Sequence, residues 1–278
     1  MAPSTHFTLN TGAKIPAIGL ETDTATLTQH CNENEVGQGI KDSGVPREEI
    51  FLTSKLWNTH QPNVKEGLQK TLDALGVEYL DLYNESSELL PVNPDGTRSV
   101  DRSWDQGETW RQMEEVYKSG KVKAIGVANW SIPYLEKLRK SWTVVPSVNQ
   151  VELHPFLPQH ELREYCDELG ILLEAYSPLG STGAPIMSDP DIQKIADMNG
   201  VSAATILISY HVNKGAVVLP KSVTEKRISS NKEVISLSKE DLAVLDSLAA
   251  NGKAKRINTP LWGFDLGFAD WYGPVKSS

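Results

Sequence analysis

The chain has 278 residues, enough for one large α/β domain or two small ones with a real core. Its hydrophobic share of 39% and charged share of 23% are those of a globular protein in water. A formal net charge of −9 argues against a general nucleic-acid binder, which needs a basic face to displace phosphate counterions, but leaves room for an anionic cofactor held by a few local cations.

The cysteines, Cys31 and Cys166, form no CxxC pair and no metal-ligand spacing, so a reduced, cytoplasmic setting is expected. The opening stretch MAPSTHFTLN lacks the charged-then-apolar pattern of a secretory signal, and no apolar run approaches membrane-spanning length. No membrane partner is therefore expected. Asn84-Glu85-Ser86 and Asn129-Trp130-Ser131 match the glycosylation pattern, and without a secretory signal both are read as chance.

From residue 50 onward, short β-like runs alternate with helical patterns. IFLTSKL (50–56) is a strand candidate, followed by a helix with Val64, Leu68, Leu72 and Leu75 at helical spacing and Gly76 as its C-terminal cap. VEYLDLY (77–83) reads as the next strand, then a long polar loop, then a helix over about 110–119 closed by Gly120. VKAIGVA (122–128) precedes a helix from about Pro133. PSVNQVEL (146–153) precedes one near 159–169, and ILLEAY (171–176) one that starts at Pro190 and ends at Gly200. A further helix has Ser202 as its cap, AVVLP (216–220) is the last strand, and a helix around 238–250 leads into an irregular tail.

Repeated strand–helix units imply a parallel sheet. No GxGxxG follows the first strand, and Gly37-Gln38-Gly39 lies in a helix-like stretch, so a doubly wound sheet loses its best signature. The expected fold is an α/β (β/α)₈ TIM barrel, one domain over residues 1–278, with function at the C-terminal ends of its strands.

Polar residues that directly follow apolar strand runs are Lys55, Asn129, Gln150, Tyr176 with Ser177, and Lys221 with Ser222. Any one alone is an ordinary loop capper or a solvated cation; five at the same end of successive strands form a pattern. LPKSVTEKR (219–227) adds Thr224, Lys226 and Arg227 at a strand–helix junction, where barrels commonly hold phosphate. Arginine contributes two-pronged recognition of an oxyanion.

KAIGVANW, VNQVELHP, AYSPLGS, LPKSVTEKRISSN, FLTSKLWN and the N-terminal FTLNTGAKIPAIGL together resemble the aldo-keto reductases, in order along nearly the whole chain. The nearest branch is the fungal glycerol, sugar and aldehyde reductases. The resemblance implies a barrel that binds NADP(H) and exchanges a hydride with a small-molecule carbonyl or alcohol substrate, as a monomer or weak dimer. It implies that Asn129 and Gln150 hold the nicotinamide carboxamide and Tyr176 stacks on its ring. Ser177, Leu179 and Ser181 line the pyrophosphate. Lys221, Ser222 and Arg227 take the 2′-phosphate beside Val223 and Thr224, and Asn231 meets the adenine. Trp57 and Trp262 border the substrate pocket. Ala128 and Ser230 stand where the family usually has Ser and often an acidic residue.

The family's chemistry uses a Tyr proton donor, a Lys that lowers its pKa, an Asp that pairs with the Lys and a His that orients the carbonyl. A phenol of pKa about 10 needs that neighbouring cation to act near neutrality. Only Lys55 is plainly present. His30 occupies the position of the Tyr, Ala25 falls near that of the Asp, and Asp81-Leu82-Tyr83 runs into Asn84-Glu85-Ser86 where the His belongs. ETD (21–23) is too short for the helical crossover that parallel strands at AIGL and TATLT would need, so the barrel is expected to be irregular at its second unit and at the end of its fourth strand. A codon run for Tyr-Arg-His, Ile-Asp and Thr-Ala, read one base out of frame, gives residues 22–31; genomic sequence lacking such a reading would sink this explanation.

Three readings follow: an NADP-dependent carbonyl reductase with impaired activity, a catalytically silent NADP-binding protein, and a truncated or mis-spliced product.

Overall fold

The computed structural model describes residues 2–22, 32–85, 101, 103–181, 183–259 and 265–271. His30, Trp262, Cys31, the TATLT run and the polar loop expected after Tyr83 lie wholly or largely outside them. In chain order the elements are β1 (His6–Thr8), β2 (Lys14–Pro16), α1 (Glu33–Ser43), β3 (Thr53–Leu56), α2 (Val64–Leu75), β4 (Leu82–Glu85), α3 (Gln106–Lys118), β5 (Ile125–Ala128), α4 (Ile132–Arg139), β6 (Val148–Glu152), α5 (His160–Glu168), β7 (Leu172–Tyr176), α6 (Pro190–Asn199), α7 (Ala203–Asn213), β8 (Val217–Leu219), α8 (Glu225–Ser230) and α9 (Lys239–Ser247). Every strand and helix expected from residue 50 onward is present, with ends shifted by a few residues. The alternation is that of an incomplete (β/α)₈ barrel. Among the described residues, no helix is long and apolar enough to cross a membrane.

The chain divides into two compact units. The first comprises Met1–Leu9, Lys14–Glu21 and Gln150–Thr259; the second comprises Asn10–Ala13, Thr22–Asn149 and Pro260–Ser278.

In the first unit β1 and β2 form an antiparallel hairpin with Phe7 opposite Ile15. β7 and β8 pair in parallel, Glu174 opposite Val217 and Tyr176 opposite Leu219. The run after β2 lies parallel to β8: Gly19 N–H donates to Val218 O at 2.9 Å, and Val218 N–H to Ala17 O at 3.0 Å. The run after β2 and the last strand of the sequence are thus neighbours. Pro190 and Gly200 bound α6 as expected: Asp189 accepts from the Asp191 and Ile192 amides, and Gly200 takes the left-handed conformation at φ 67°. α6, α7 and α9 enclose an apolar core of Ile186, Ile192, Ile195, Ile206, Leu207, Leu245 and Leu248.

In the second unit β3, β4 and β5 are parallel, with Lys55 opposite Asn84 and Asn84 opposite Gly126. β4 begins at Leu82, later than the apolar run suggests, because Asp81 is committed elsewhere. Its carboxylate accepts from Leu52 N–H at 3.0 Å and pairs with Arg47 and Lys123 at 2.8 and 2.9 Å, while those two cations flank the Tyr79 ring. Gly37 and Gly39 sit inside α1, as their helix-like setting implied. A Cβ at Gly37 would lie 2.3 Å from Leu75 O, so glycine there lets α1 approach the end of α2.

The end of β4 combines burial with polarity. All four of its residues are buried, yet two are polar. Neither side-chain polar atom of Asn84 has a partner among the described residues. Glu85 accepts from Gln61 Nε2 at 3.1 Å through one oxygen, and the other is buried without a partner. Burial alone pushes the Glu85 carboxyl up to about 8. An acid whose folded pKa is raised holds its proton more tightly in the folded state. Its stability contribution is therefore complete below about 4.5 and is lost as pH rises towards 8, at about 1.4 kcal/mol per unit. Glu85→Gln removes that slope. Urea unfolding should find the variant close to the parent at pH 5 and more stable at pH 8 by on the order of 3 kcal/mol; equal slopes for the two proteins would show that Glu85 is not the titrating group.

Candidate active site

In the first unit the predicted residues gather at the C-terminal ends of β6, β7 and β8. Gln150 lies within β6, nearly fully buried, and donates through Nε2 to Glu174 Oε2 of β7 at 2.9 Å. Tyr176 closes β7 half-buried, two residues beyond Glu174 and on the same face of the strand. Ser177 and Ser181 both have positive φ, 50° and 59°, and the turn between them is closed by Gly180 N–H donating to Ser177 O at 2.9 Å. Non-glycine residues rarely adopt this region, and such departures cluster at ligand sites. Leu179 is half-buried in that turn and packs against the α6–α7 core.

After β8, Lys221, Val223, Thr224 and Arg227 are exposed and Ser222 is half-buried. Val223 is 83% exposed. Ser222 Oγ accepts from Thr224 N–H at 3.1 Å, and Arg227 donates to Thr224 Oγ1 at 2.7 Å. Lys221 stands opposite Glu21 in an isolated parallel bridge. Asn231, predicted to meet adenine, is buried and caps the C-terminus of α8.

Two carboxylates in this unit were not singled out from sequence. One is Glu174. The other is Glu152, fully buried at the end of β6. Its Oε1 accepts from His154 Nε2 at 3.0 Å and from Ile257 N–H at 2.6 Å, and its Oε2 accepts from Asn258 N–H at 2.9 Å. Burial pushes this carboxyl up; the His154 ring and the two amides more than offset it, so the acid titrates below its ordinary range. Glu152 thereby anchors the strand end to the start of the C-terminal segment. The signal available in the sequence was a charged residue inside an otherwise apolar strand run, in VNQVEL and in ILLEAY.

In the second unit, Lys55 lies in β3 and is half-buried, with Trp57 half-buried just beyond the strand. Asn129 follows β5 with φ 62°. Asn149 accepts from Trp130 N–H at 3.4 Å and donates to Trp130 O at 2.8 Å, fixing the chain just after Asn129. Ser131 Oγ and Tyr134 OH donate to the Leu266 and Asp265 carbonyls at 2.7 and 2.9 Å, tying the tail to α4. A Cβ at Gly126 would lie 2.4 Å from Asn84 Oδ1 and 2.8 Å from Val148 O, so only glycine leaves room for the buried Asn84 amide.

The Aldo/keto reductase family matches residues 22–250. The chain belongs to this family. Among its relatives, a D-galacturonate reductase of Hypocrea jecorina is 42% identical, over 96% of this chain and 99% of its own. A glycerol 2-dehydrogenase (NADP(+)) of Saccharomyces cerevisiae is 43% identical, over 91% and 94% of the two chains. An aldehyde reductase of the same yeast is 40% identical, over 92% and 94%. The first of these alignments spans 305 residues, whereas this aldo-keto reductase has 278, so the relative carries at least 27 residues with no counterpart here.

Glu152→Ala leaves a histidine ring and two backbone N–H groups buried without their acceptor. The expected cost is about 3 kcal/mol in chemical denaturation, with hydrogen exchange at Ile257 and Asn258 faster by at least tenfold. Unchanged protection of both amides would show that the carboxylate does not hold this segment.

Proposed function

We propose that the chain binds NADP(H) and belongs, by reaction class, with enzymes that exchange a hydride between this cofactor and the carbonyl of an aldehyde, sugar or short polyol. The observation that carries the reading is the first unit's arrangement. A buried amide, a half-buried tyrosine and a positive-φ serine turn lie at one end of β6 and β7. An exposed set of cations and hydroxyls follows β8.

That donor set fits the cofactor. Lys221, Ser222 and Arg227 offer charge and hydrogen bonds to a 2′-phosphate, with Val223 and Thr224 beside them. On this reading Asn231 meets the adenine. Ser177, Leu179 and Ser181 line the pyrophosphate, Tyr176 stacks on the nicotinamide ring and Gln150 holds its carboxamide. The roles of Lys55, Trp57 and Asn129 rest on the family resemblance alone. When bound, the cofactor supplies the hydride. The chain's own residues then have to orient the carbonyl and deliver a proton to its oxygen. Lys55 is a cation suited to lowering the pKa of a nearby acid, but the Tyr, Asp and His it works with in the family have no equivalent in the sequence. The substrates named for the relatives, a sugar acid, glycerol and aldehydes, bound the substrate class. The same reading takes residues 1–278 as one reductase domain, a cytoplasmic monomer or weak dimer.

A second reading is favoured by the end of β4, where barrels place reactive groups. Asn84 and Glu85 are buried there without full hydrogen bonding. On this reading the chain retains cofactor binding and has lost most or all turnover, as a silent binding protein or as the product of altered splicing or reading frame around residues 22–31.

Fluorescence titration with NADPH, beside NADPH oxidation with glyceraldehyde, separates the two. Both readings expect saturable NADPH binding; turnover marks the first and its absence the second, while no binding overturns both. Arg227→Ala should weaken NADPH about tenfold and leave NADH within twofold, because only the former carries the 2′-phosphate. An equal loss for both cofactors would remove Arg227 from the phosphate site.

A further inference from the structure

We propose that Glu174 is a positioning residue: it fixes which way the Gln150 carboxamide faces, and through it orients the nicotinamide carboxamide. The proposal rests on the cofactor reading above.

A glutamine side chain ends in one acceptor oxygen and one donor NH₂ of nearly equal size, and a half-turn about its last bond exchanges them. A neighbour that can only accept removes this ambiguity. Ionised, Glu174 is such a neighbour: Gln150 Nε2 lies 2.9 Å from Glu174 Oε2, and both side chains are nearly fully buried on adjacent strands. With its NH₂ group turned to the carboxylate, Gln150 presents Oε1 on the other side. The free oxygen is an acceptor suited to the NH₂ of a nicotinamide carboxamide.

The strand geometry supports the placement. Glu174 and Tyr176 are two residues apart on β7 and share a face. The residue that stacks on the ring and the residue that orients the amide thus come from one short run, Glu174-Ala175-Tyr176. An aliphatic residue at 174 would leave Gln150 free to turn either way. A neutral amide at 174 can donate as well as accept, so both orientations of Gln150 become allowed.

The test compares NADPH with 2′,5′-ADP, which keeps the phosphate-bearing half of the cofactor and lacks nicotinamide. Calorimetric titrations are run on the parent, Glu174→Gln and Glu174→Met, each first checked for cooperative melting. NADPH affinity is expected to fall about two- to fivefold in Glu174→Gln, where part of the population presents the wrong group. It should fall roughly tenfold in Glu174→Met, where the charge-assisted hydrogen bond is lost. Affinity for 2′,5′-ADP stays within about twofold throughout. Unchanged NADPH binding in both variants, or an equal loss for the two ligands, overturns the proposal. A parent that binds neither ligand overturns the cofactor reading itself. In cofactor-free protein the Gln150 side-chain ¹⁵N amide resonances should move on Glu174→Gln; resonances that stay in place also overturn it.

Discussion

A polar group taken out of water must meet a partner inside the protein, or the fold bears several kcal/mol for its desolvation. In the first unit it is met at Gln150, which has Glu174, and at Glu152, which has His154 and two backbone amides, whereas neither ring nitrogen of the buried His211 has a partner among the described residues. In the second unit it is met at the N-terminal end of β4, where Asp81 serves Leu52, Arg47 and Lys123. Three residues further along the same strand it fails, at Asn84 and Glu85.

In VNQVELHP the buried carboxylate Glu152 and the buried amide Gln150 are paired, while His154 Nδ1 has no partner among the described residues. Each charged residue inside a strand there has a specific acceptor or donor at hydrogen-bond distance. Asn84 and Glu85 are buried at the end of β4. A strand buried on both faces selects near-continuous apolar residues. Glu85 answers by holding its proton, and Asn84 is accommodated only because residue 126 is a glycine.

The strands and helices from residue 50 onward were legible because their apolar spacing and punctuation agreed. Gly76, Asp189-Pro190, Gly200 and Ser202 stand at helix ends, where capping chemistry puts them. The start of β4 was misjudged by several residues, since Asp81 reads as part of a β-like run until its three partners are seen. Among candidate site residues, those at strand ends were visible as polar letters after apolar ones. Glu152 and Glu174 were missed because they sit within the runs, where a charge reads as noise until a buried partner is found. Pairing across strands is a tertiary fact, and no periodicity in one segment reports it.

Loss of family residues is therefore not equivalent to loss of the fold. The ladder that sets Gly19 against Val218, and the carboxylates that brace β6 and β7, are built from residues of the first unit and support its strand ends. Hydride donation belongs to the cofactor, whereas proton delivery belongs to side chains near Lys55. On the proposed reading the two tasks separate: the first depends on binding energy from Lys221, Arg227, Tyr176 and Gln150, and the second on an acid of suitable pKa held beside the carbonyl. Affinity for NADP(H) and catalytic rate are, on that reading, separate properties of the molecule. Each is then governed by a different part of the sequence.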